Sequence, residues 1–451
     1  MKALLIEAEK LLKENDEVLK RRAYADIAAN RMTTTRISLN YGGKPAAGVI
    51  IRIKQKSHDF GFGCNLFLLN QFSDVEDNVK YQSSVAKVFN TATLPFYWNA
   101  VEPEQDKPRY TADSFNIFRR PAPDICVEYC RSHNIEPKLH CLFYDKFIPD
   151  WLENIKDQST VKKLYEKRFR EIAERYSPSI TQYEVTNETL QARYWKRMSV
   201  LTPLRDILDW CFCMARKYLP DKELIINEGN PIEYFDGCGF RDAYFMQIEG
   251  LLNRGVSVDK VGIQQHFFAN ASEELSREDV KIEKLWKYNA AERNYAFLDA
   301  YSQLGLPIQL TEVTVPTLED SEYGREIQAL LLRQLMIMWF SHKSIDSVIY
   351  WNTVDHMAYD SPDGKWLENK CLGGLLNRDL SPKPAYLMLD KLINQEWHTE
   401  TVLKTNVYGI AEFTGFRGNY EAEIVFNGKK HNKFFHTAYK ANDILALTLS
   451  E

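Results

Sequence analysis

Eight short apolar runs, separated by stretches with helical periodicity, are the feature of this sequence that most restricts its fold. The runs are DFGFGCNLF (59–67), KVFNTATLPF (87–96), IEPKLHCLF (135–143), SITQYEVTNE (179–188), KELIINEGN (222–230), DKVGIQQHFF (259–268), LPIQLTEVTV (306–315) and SVIYWNTVD (347–355). Each has the length of a buried β-strand, and helix-like stretches such as PAPDICVEYCRSHN lie between them. Eight strand–helix units favour a closed parallel barrel over an open doubly wound sheet. We therefore predict an α/β fold with a (β/α)8 barrel over residues 57–396.

The segments on both sides of the predicted barrel show the alternation of apolar and polar residues that is typical of β-strands. The first, TTTRISLNYGGKPAAGVIIRIKQK (33–56), contains a Gly-Gly-Lys-Pro turn, and the second (397–451) contains an Asn-Gly turn at Asn427. Neither has enough strands to bury a sheet face alone, so we predict one small accessory β domain, split in sequence around the barrel. Residues 1–32 are predicted to form an N-terminal helix, because their leucines fall close to one helical stripe.

Two glutamates lie at the carboxyl ends of predicted strands. Glu188 ends the fourth run, and Glu312 lies in the seventh run after Leu310 and Thr311. A (β/α)8 barrel carries its catalytic groups at this end of its strands, and glycoside hydrolysis requires two carboxyl groups, one as acid/base and one as nucleophile. Most of the 62 acidic residues are expected to be solvated surface charges, so position, not residue type, supports this hypothesis.

Further residues with useful chemistry stand at the ends of four predicted strands. They are His140, Asn187, Gln264, His266 and Trp351. Any one of them alone would more simply be a core residue, but their convergence on one rim favours a site. Asn187 would hydrogen-bond a sugar 2-hydroxyl, and His266 would orient Glu312. Trp351 would form the floor beneath a sugar ring, although core packing explains its position equally well.

These motifs resemble glycoside hydrolase family 10, the xylanase family, over roughly residues 57–390. YEVTNE resembles the acid/base motif WDVVNE, which implies that Glu188 is the proton donor. LTEVTV resembles the nucleophile strand, which implies that Glu312 is the nucleophile. VGIQQHF resembles the G-x-Q-x-H strand, which implies that His266 hydrogen-bonds the nucleophile, and PKLHCLFYDKFIPDWL resembles the segment that carries His140. The split β segments also resemble a β module found beside some members of this family.

The sequence differs from the family at positions where family members bind xylan. The family motif TAENAMKW is replaced by TATLPFYW (91–98), so Thr93, Leu94 and Tyr97 take the places of Glu, Asn and Lys. Asp145 stands where the family has the second His of its GH-x-L-VWH segment. The resemblance therefore places Tyr97 and Asp145 in the substrate-binding region. Because Lys to Tyr removes a charged donor and adds an apolar face, we expect different hydroxyls to be recognised.

We also predict that Tyr97 and Phe96 wall off the cleft on its glycone side and so favour short substrates. At the end of the seventh strand Thr314 replaces the family's Asp, and Tyr359 takes the place of the last family Trp.

The predicted function is a retaining β-glycosidase that hydrolyses β-linked oligosaccharides or glycosides, xylo-oligosaccharide-like or related, by double displacement. Glu188, with a raised pKa, would protonate the glycosidic oxygen, and ionised Glu312 would attack the anomeric carbon, with their carboxyl groups about 5–5.5 Å apart. The alternative is a carbohydrate-binding relative of xylanases with weak or no activity. A metal-dependent hydrolase is a third possibility, but His140 and His266 lack further ligands at metal spacing, so we expect no metal and no cofactor.

Charge and length exclude several other classes. The net charge of −5 argues against a protein that follows nucleic-acid phosphates, and basic clusters such as KKLYEKRFREIAER carry acidic residues among them. No apolar run is long enough to span a membrane, and the charged amphipathic N-terminus is not a secretory signal. We expect a cytoplasmic protein, or a secreted one if a leader has been removed, with a carbohydrate substrate. The oligomeric state is left open.

The cysteines are expected to be free thiols of a reducing compartment. They stand at positions 64, 126, 130, 141, 211, 213, 238 and 371. Neither close pair, Cys126 with Cys130 or Cys211 with Cys213, has the spacing of a metal or redox motif.

Overall fold

The computed structural model describes residues 2–235, 242–437 and 444–449, and it begins with two helices and three strands. The helices are α1 (Lys2–Arg21) and α2 (Ala23–Arg31), where the sequence predicted one helix over 1–32. The chain bends between them at Arg22, whose guanidinium is held by both Asp26 and Asp299. The strands β1 (Met32–Tyr41), β2 (Lys44–Pro45) and β3 (Ile50–His58) follow.

A closed barrel of eight parallel strands comes next. Its strands are β4 (Gly61–Asn65), β5 (Thr91–Pro95), β6 (Glu136–Phe143), β7 (Gln182–Asn187), β8 (Glu223–Glu228), β9 (Lys260–His266), β10 (Ile308–Thr314) and β11 (Ile345–Tyr350). Neighbours in sequence are neighbours in the barrel, and β11 closes the ring against β4. Every one of the eight predicted runs supplies one strand, which confirms the predicted (β/α)8 barrel.

Helices lie between the barrel strands and surround them. They are α3 (Val75–Val88), α4 (Trp98–Val101), α5 (Pro123–His133), α6 (Asp150–Glu153), α7 (Gln158–Tyr176), α8 (Ile207–Tyr218), α9 (Ala243–Asn253), α10 (Glu278–Asn289), α11 (Ala291–Tyr301), α12 (Glu322–Ser341) and α13 (Pro384–Lys391). Their apolar faces and the outward side chains of the strands form one continuous core. Helix α1 belongs to this layer, because Leu4, Ala8, Leu11 and Leu19 are buried in the same core.

The strands outside the barrel form two four-stranded sheets. The remaining strands are β12 (Glu400–Lys404), β13 (Ile410–Phe416), β14 (Gly418–Phe426), β15 (Lys429–Thr437) and β16 (Ile444–Leu449). One sheet has the order β13-β1-β16, with β2 beside β1, and the other has the order β12-β3-β14-β15. Both sheets therefore combine strands from the two separated segments. Buried side chains that include Ile37, Ile53, Tyr420 and Leu447 fill a separate core.

Turn chemistry accounts for the β14–β15 hairpin. Asn427 and Gly428 connect the strands and both have positive φ, 49° and 75°. A two-residue turn of this kind requires left-handed residues, which Asn and Gly adopt at the lowest cost.

Within the described residues, no helix is both long and apolar enough to span a lipid bilayer.

Candidate active site

The two glutamates identified from the sequence lie at the carboxyl rim of the barrel. Strand β7 ends at Asn187, and Glu188 follows with a left-handed backbone (φ 52°, ψ 34°). A residue other than glycine pays about 1–3 kcal/mol for such a conformation, which therefore persists only where its surroundings impose it. Here the backbone N–H of Glu188 donates to the carbonyl of Asn227, 3.1 Å away on the neighbouring strand β8. Glu312 lies within β10 and is almost fully buried.

The side-chain amide of Gln264 joins the two glutamates. Its Nε2 lies 3.1 Å from Oε1 of Glu188 and 2.9 Å from Oε1 of Glu312. Because these two bonds share one nitrogen, the two oxygens cannot be more than 6.0 Å apart. The strand register explains the contact, since Gln264 on β9 pairs with Glu312 on β10.

Glu312 has two further polar neighbours. Nδ2 of Asn227 donates to its Oε1 at 3.2 Å, and Nε2 of His266 lies 3.2 Å from its Oε2. The other ring nitrogen of His266 lies 3.0 Å from the hydroxyl of Thr314, the residue that replaces the family's Asp. Burial lowers the pKa of His266 to about 4, so the ring is neutral near pH 7.

The pKa of Glu312 is strongly raised. Burial raises it to about 8, and the nearby carboxylates of Glu184 and Glu188 act in the same direction. Charges on His140 and Lys138 offset this only in part.

The pKa of Glu188 is shifted the other way. Burial favours its neutral form, but the Lys146 ammonium, 3.8 Å from Oε2, outweighs this effect together with hydrogen bonds from Tyr144 and Gln264. The pKa of Glu188 is therefore below its ordinary value. The predicted order, with Glu188 raised and Glu312 ionised, is wrong for this structure. The sequence motif did not reveal Lys146 and Tyr144, which lie on the loop after β6 and act on Glu188.

A buried charge cluster lies behind the two glutamates. Lys138 and His140, both on β6, each contact the carboxylate of Glu184 on β7, and all three side chains are inaccessible to solvent. Burial opposes the charge on Glu184, but Lys138 and His140 together lower its pKa to about 2. The hydroxyl of Tyr97 lies 3.0 Å from Nε2 of His140 and connects this cluster to the cleft. Lys138 and Glu184 were not identified from the sequence, where they look like ordinary strand residues.

Asn187 is part of an amide network beneath the cleft. Its Oδ1 accepts from Nδ2 of Asn227 at 2.8 Å and from Nε2 of Gln264 at 3.3 Å. Asn227 in turn accepts from the Thr311 hydroxyl at 2.5 Å. This network fixes the side chains that contact Glu312.

Asp145 does not lie where the sequence comparison placed it. It is fully buried and accepts hydrogen bonds from Tyr165, from the backbone N–H of Ser199 at 2.9 Å, from the Ser199 hydroxyl at 2.5 Å and from Thr202. These donors use both carboxylate oxygens and hold the loop around residue 199. Asp145 therefore stabilises the rim of the cleft and, contrary to prediction, is not among the residues that line it.

The cleft has a volume of about 470 Å³ and an aromatic wall. Tyr97 packs against Phe147, with ring centroids 4.5 Å apart, and Trp351 packs against Phe67 at 5.0 Å. Trp351 also contacts His140 and His266, so it both lines the cleft and packs against the residues behind it.

Three residues of the TATLPFYW segment are buried and do not line the cleft. Phe96, predicted to wall it with Tyr97, is fully buried against Tyr176. Thr93 and Leu94 are also fully buried and are absent from the lining. Phe147 takes the place predicted for Phe96.

Glu228, at the end of β8, is a further buried carboxyl group that the sequence analysis missed. It accepts from the backbone N–H groups of Leu190 and Gly229, both at 2.9 Å. Burial raises its pKa to about 8, despite these two bonds. Because Leu190 lies two residues after Glu188, Glu228 holds the turn that positions the glutamate.

The described residues contain no cluster of three His, Cys, Asp or Glu side chains arranged to hold a metal ion. The seven cysteines in the described ranges are free, and Cys238 lies outside those ranges.

Paired carboxyl groups at the carboxyl rim of a (β/α)8 barrel are the arrangement that glycoside hydrolysis requires. The sequence profile of glycosyl hydrolase family 10 matches residues 58–391, and the chain belongs to this family.

Known relatives agree with this assignment. The anti-sigma-I factor RsgI6 of Acetivibrio thermocellus is 24% identical over 395 residues, which cover 86% of this chain and 44% of that protein. Endo-1,4-beta-xylanase 2 of Arabidopsis thaliana is 24% identical over 425 residues, covering 91% of this chain and 34% of that protein. The chain thus spans less than half the length of these two relatives.

Among solved structures, xylanase 10B from Thermotoga petrophila RKU-1 in complex with xylobiose superposes with a TM-score of 0.56. The two sequences are 20% identical, and the match covers 75% of this chain and 95% of that one. This likeness supports the barrel fold.

Proposed function

We propose that this protein is a retaining β-glycosidase that hydrolyses β-linked oligosaccharides or glycosides, xylo-oligosaccharide-like or related, by double displacement. The observation that carries the proposal is the shared contact of Gln264 with Glu188 and Glu312, which keeps two of their oxygens within 6.0 Å. Retaining enzymes hold their carboxyl groups about 5–5.5 Å apart, whereas inverting enzymes leave about 6.5–9.5 Å for a water molecule.

The proposed reaction assigns one role to each glutamate in each step. Glu188 donates its proton to the glycosidic oxygen while a carboxylate oxygen of Glu312 bonds to the anomeric carbon, and the bond from that carbon to the leaving oxygen breaks. Glu188 then removes a proton from water, the hydroxyl adds to the anomeric carbon, and Glu312 is released. The sum is the addition of one water molecule, and each glutamate returns to its starting form.

Proton sharing within the pair sets the conditions for this reaction. A high pKa at Glu312 and a low pKa at Glu188 mean that a single shared proton resides mainly on Glu312. Catalysis requires this proton on Glu188, where it can be donated to the glycosidic oxygen. The resting pair and the reactive pair therefore carry the same number of protons and differ only in which glutamate holds the proton. The amide of Gln264 contacts both carboxylates and is placed to stabilise the charge on either one.

We propose short substrates for the cleft. The positions of the family's Glu, Asn and Lys hold two fully buried side chains, Thr93 and Leu94, together with Tyr97 in the aromatic wall. Sugar hydroxyls left without partners would cost about 1–3 kcal/mol each. A kcat/KM for xylo-oligosaccharides well above that for polymeric xylan is the expected result. Equal rates on both, with cleavage within the polymer, would contradict this part of the proposal.

A second candidate is a carbohydrate-binding relative with weak or no activity. Two observations favour it: the low pKa of Glu188, which weakens a general acid, and the similarity to a protein named as an anti-sigma-I factor. In this case Glu188 and Glu312 would contact the sugar without cleaving it.

A panel of aryl β-xylosides, β-xylobiosides and β-glucosides separates the two candidates. We expect hydrolysis of at least one substrate by the unmodified protein, and a loss of at least about 1,000-fold in kcat for Glu312→Gln. The exposed variant Glu273→Gln serves as a control for expression and folding. Binding of a glycoside by calorimetry with no hydrolysis of any panel member would favour the second candidate.

We also propose the division into an N-terminal segment (1–32), a split β domain (33–56 and 397–451) and a catalytic barrel (57–396). The separate core of the two outer sheets supports it. A reducing location such as the cytoplasm is supported by the seven free cysteines, six of which are buried. A carbohydrate is the proposed partner.

A further inference from the structure

Two adjacent arginines, the buried Arg119 and the half-buried Arg120, form part of the cleft wall, and the side chain of each forms a single hydrogen bond within the part of the chain that the structure describes. Arg119 and Arg120 lie on the loop between α4 and α5, outside the sequence motifs of the family. Within the described residues, neither guanidinium forms an ion pair with a carboxylate. Buried cations are normally paired or saturated with hydrogen bonds, because removing a charge from water is unfavourable.

The other buried cations follow that rule. Lys138 pairs with Glu184, and Lys383 pairs with Asp355 at 2.9 Å. Arg168 donates to the backbone carbonyls of Phe96, Cys141 and Leu142. Each of these cations is satisfied within the fold.

Among the residues that the structure describes, Arg119 has a side-chain donor without a partner. Its side chain is only 7% exposed, it lines the cleft, and its Nη1 donates to the carbonyl of Met357. Its Nε is buried and has no hydrogen-bond partner within the described residues. Arg119 therefore lacks the full set of hydrogen-bond acceptors that a buried guanidinium normally has.

Arg120 presents a guanidinium on aromatic rings. Its Cζ lies 4.2 Å from the ring centroid of Tyr97 and 5.0 Å from that of Phe67, and its Nη1 donates to the carbonyl of Arg119 at 2.8 Å. No other hydrogen bond of this side chain is made within the described ranges. The remaining N–H groups of the guanidinium are left for an acceptor.

The wall beside Arg120 combines cations with aromatic rings. Cζ of Arg120 and Nζ of Lys146 each lie 5.8 Å from the ring centroid of Phe147, and the Lys146 ammonium also lies 3.8 Å from Oε2 of Glu188. Aromatic faces suit sugar rings, and a planar guanidinium fork matches a carboxylate with two parallel hydrogen bonds.

We propose that this wall recognises a carboxylate on the substrate, and that the protein prefers oligosaccharides carrying a uronic acid unit. This inference rests on the proposed glycosidase function and names the substrate class of the same cleft. Arg120 would bind the carboxylate through the N–H groups that its hydrogen bond to the Arg119 carbonyl leaves over, and the aromatic side chains that line the cleft would contact the sugar ring.

The test uses a pair of ligands, a xylo-oligosaccharide carrying glucuronic acid and its methyl ester, which keeps the sugar rings and linkages and removes the charge. We expect kcat/KM for the acid to exceed that for the ester by at least 10-fold in the unmodified protein. In Arg120→Gln this ratio should fall to about one, and Arg120→Lys should give an intermediate value. The preference should weaken in 0.5 M NaCl, because exposed parts of the interaction are screened.

Arg193→Gln is the matched control, because Arg193 is exposed, stacks on the cleft residue Tyr194 and does not line the cleft itself. Arg193→Gln also removes one positive charge, and the ratio of kcat/KM for the acid to kcat/KM for the ester should be the same as in the unmodified protein. Thermal unfolding of each variant verifies that it folds.

Hydrolysis of acid and ester at equal rates would overturn this inference and leave the glycosidase function intact. A stronger preference for a sulfated ligand would overturn the assignment to a carboxylate. If neither ligand is hydrolysed, calorimetry on the same pair decides: preferential binding of the acid, lost in Arg120→Gln, would support the inference while the proposed function fails, and equal binding would overturn both.

Discussion

The ammonium group of Lys146 lies 3.8 Å from Oε2 of Glu188. This contact is one reason why the pKa of Glu188 is low although burial opposes it, while burial and nearby carboxylates raise the pKa of Glu312 to about 8. The pKa values of the two glutamates of the proposed catalytic pair are therefore shifted in opposite directions.

The pair should give a bell-shaped dependence of kcat/KM on pH. Activity requires one proton in the pair, so we expect it to fall as pH rises through about 8, where that proton is lost, and to fall again below pH 4.5, where a second proton binds. Initial rates at low substrate concentration between pH 3 and 10 measure both limbs. An alkaline limb near pH 5 would contradict the proton-sharing arrangement.

Replacing Lys146 with Met should move the acidic limb of this profile to higher pH. The Lys146 ammonium lies 3.8 Å from Oε2 of Glu188 and favours its ionised form, so removing this charge should raise the pKa of Glu188. The same kcat/KM profile measures the shift. Lys196→Met, which removes an exposed lysine paired with Asp363, should leave the limb unchanged. An unmoved limb in Lys146→Met would show that this lysine does not set the pKa of Glu188.

Glu228 should make the protein less stable as pH rises. Burial raises its pKa from 4.5 to about 8, so folding favours the neutral acid. Its contribution to stability is complete below pH 4.5 and is lost as pH rises through about 8. Glu228→Gln should therefore show a smaller fall in Tm between pH 6 and pH 9 than the unmodified protein, measured by thermal unfolding, with exposed Glu273→Gln as the control. Parallel Tm curves for Glu228→Gln and the unmodified protein would rule this out.

Asp145→Asn should destabilise the protein. The amide places an NH2 group among donors from Tyr165, Ser199 and Thr202, which leaves buried donors without an acceptor at a cost of about 2–4 kcal/mol. Urea unfolding measures the loss, and a double-mutant cycle with Tyr165→Phe should show coupling between the two positions. Unchanged stability with a much higher KM would instead restore Asp145 as a substrate-binding residue.

The barrel and its rim could be predicted because they depend on local patterns. Apolar runs of strand length give the barrel, and a residue at a strand's carboxyl end, such as Glu312 or His266, faces the rim whatever the loops do. Side chains on loops depend on tertiary contacts that a sequence pattern does not encode. Asp145 turns toward Ser199, and Phe96 turns toward Tyr176, because buried partners are available there.

The same reasoning explains the charges that the sequence analysis missed. In the sequence, Lys138 and Glu184 are single charged residues within apolar strands. Their ion pair becomes visible only when β6 is paired with β7. The pKa order of Glu188 and Glu312 depends on Lys146 and Tyr144 in one three-dimensional arrangement.

Covalent trapping tests the central claim, that Glu312 is the nucleophile of a retaining glycosidase, most directly. A 2-deoxy-2-fluoro β-glycoside with a good leaving group, chosen from the substrate class that the panel identifies, slows the second step so that the glycosyl-enzyme accumulates. Mass spectrometry of the peptides should find one sugar on Glu312 in the unmodified protein and in the exposed control Glu273→Gln, and none in Glu312→Gln. A label on another residue, or continued hydrolysis of the parent glycoside with no label on Glu312, would contradict the account.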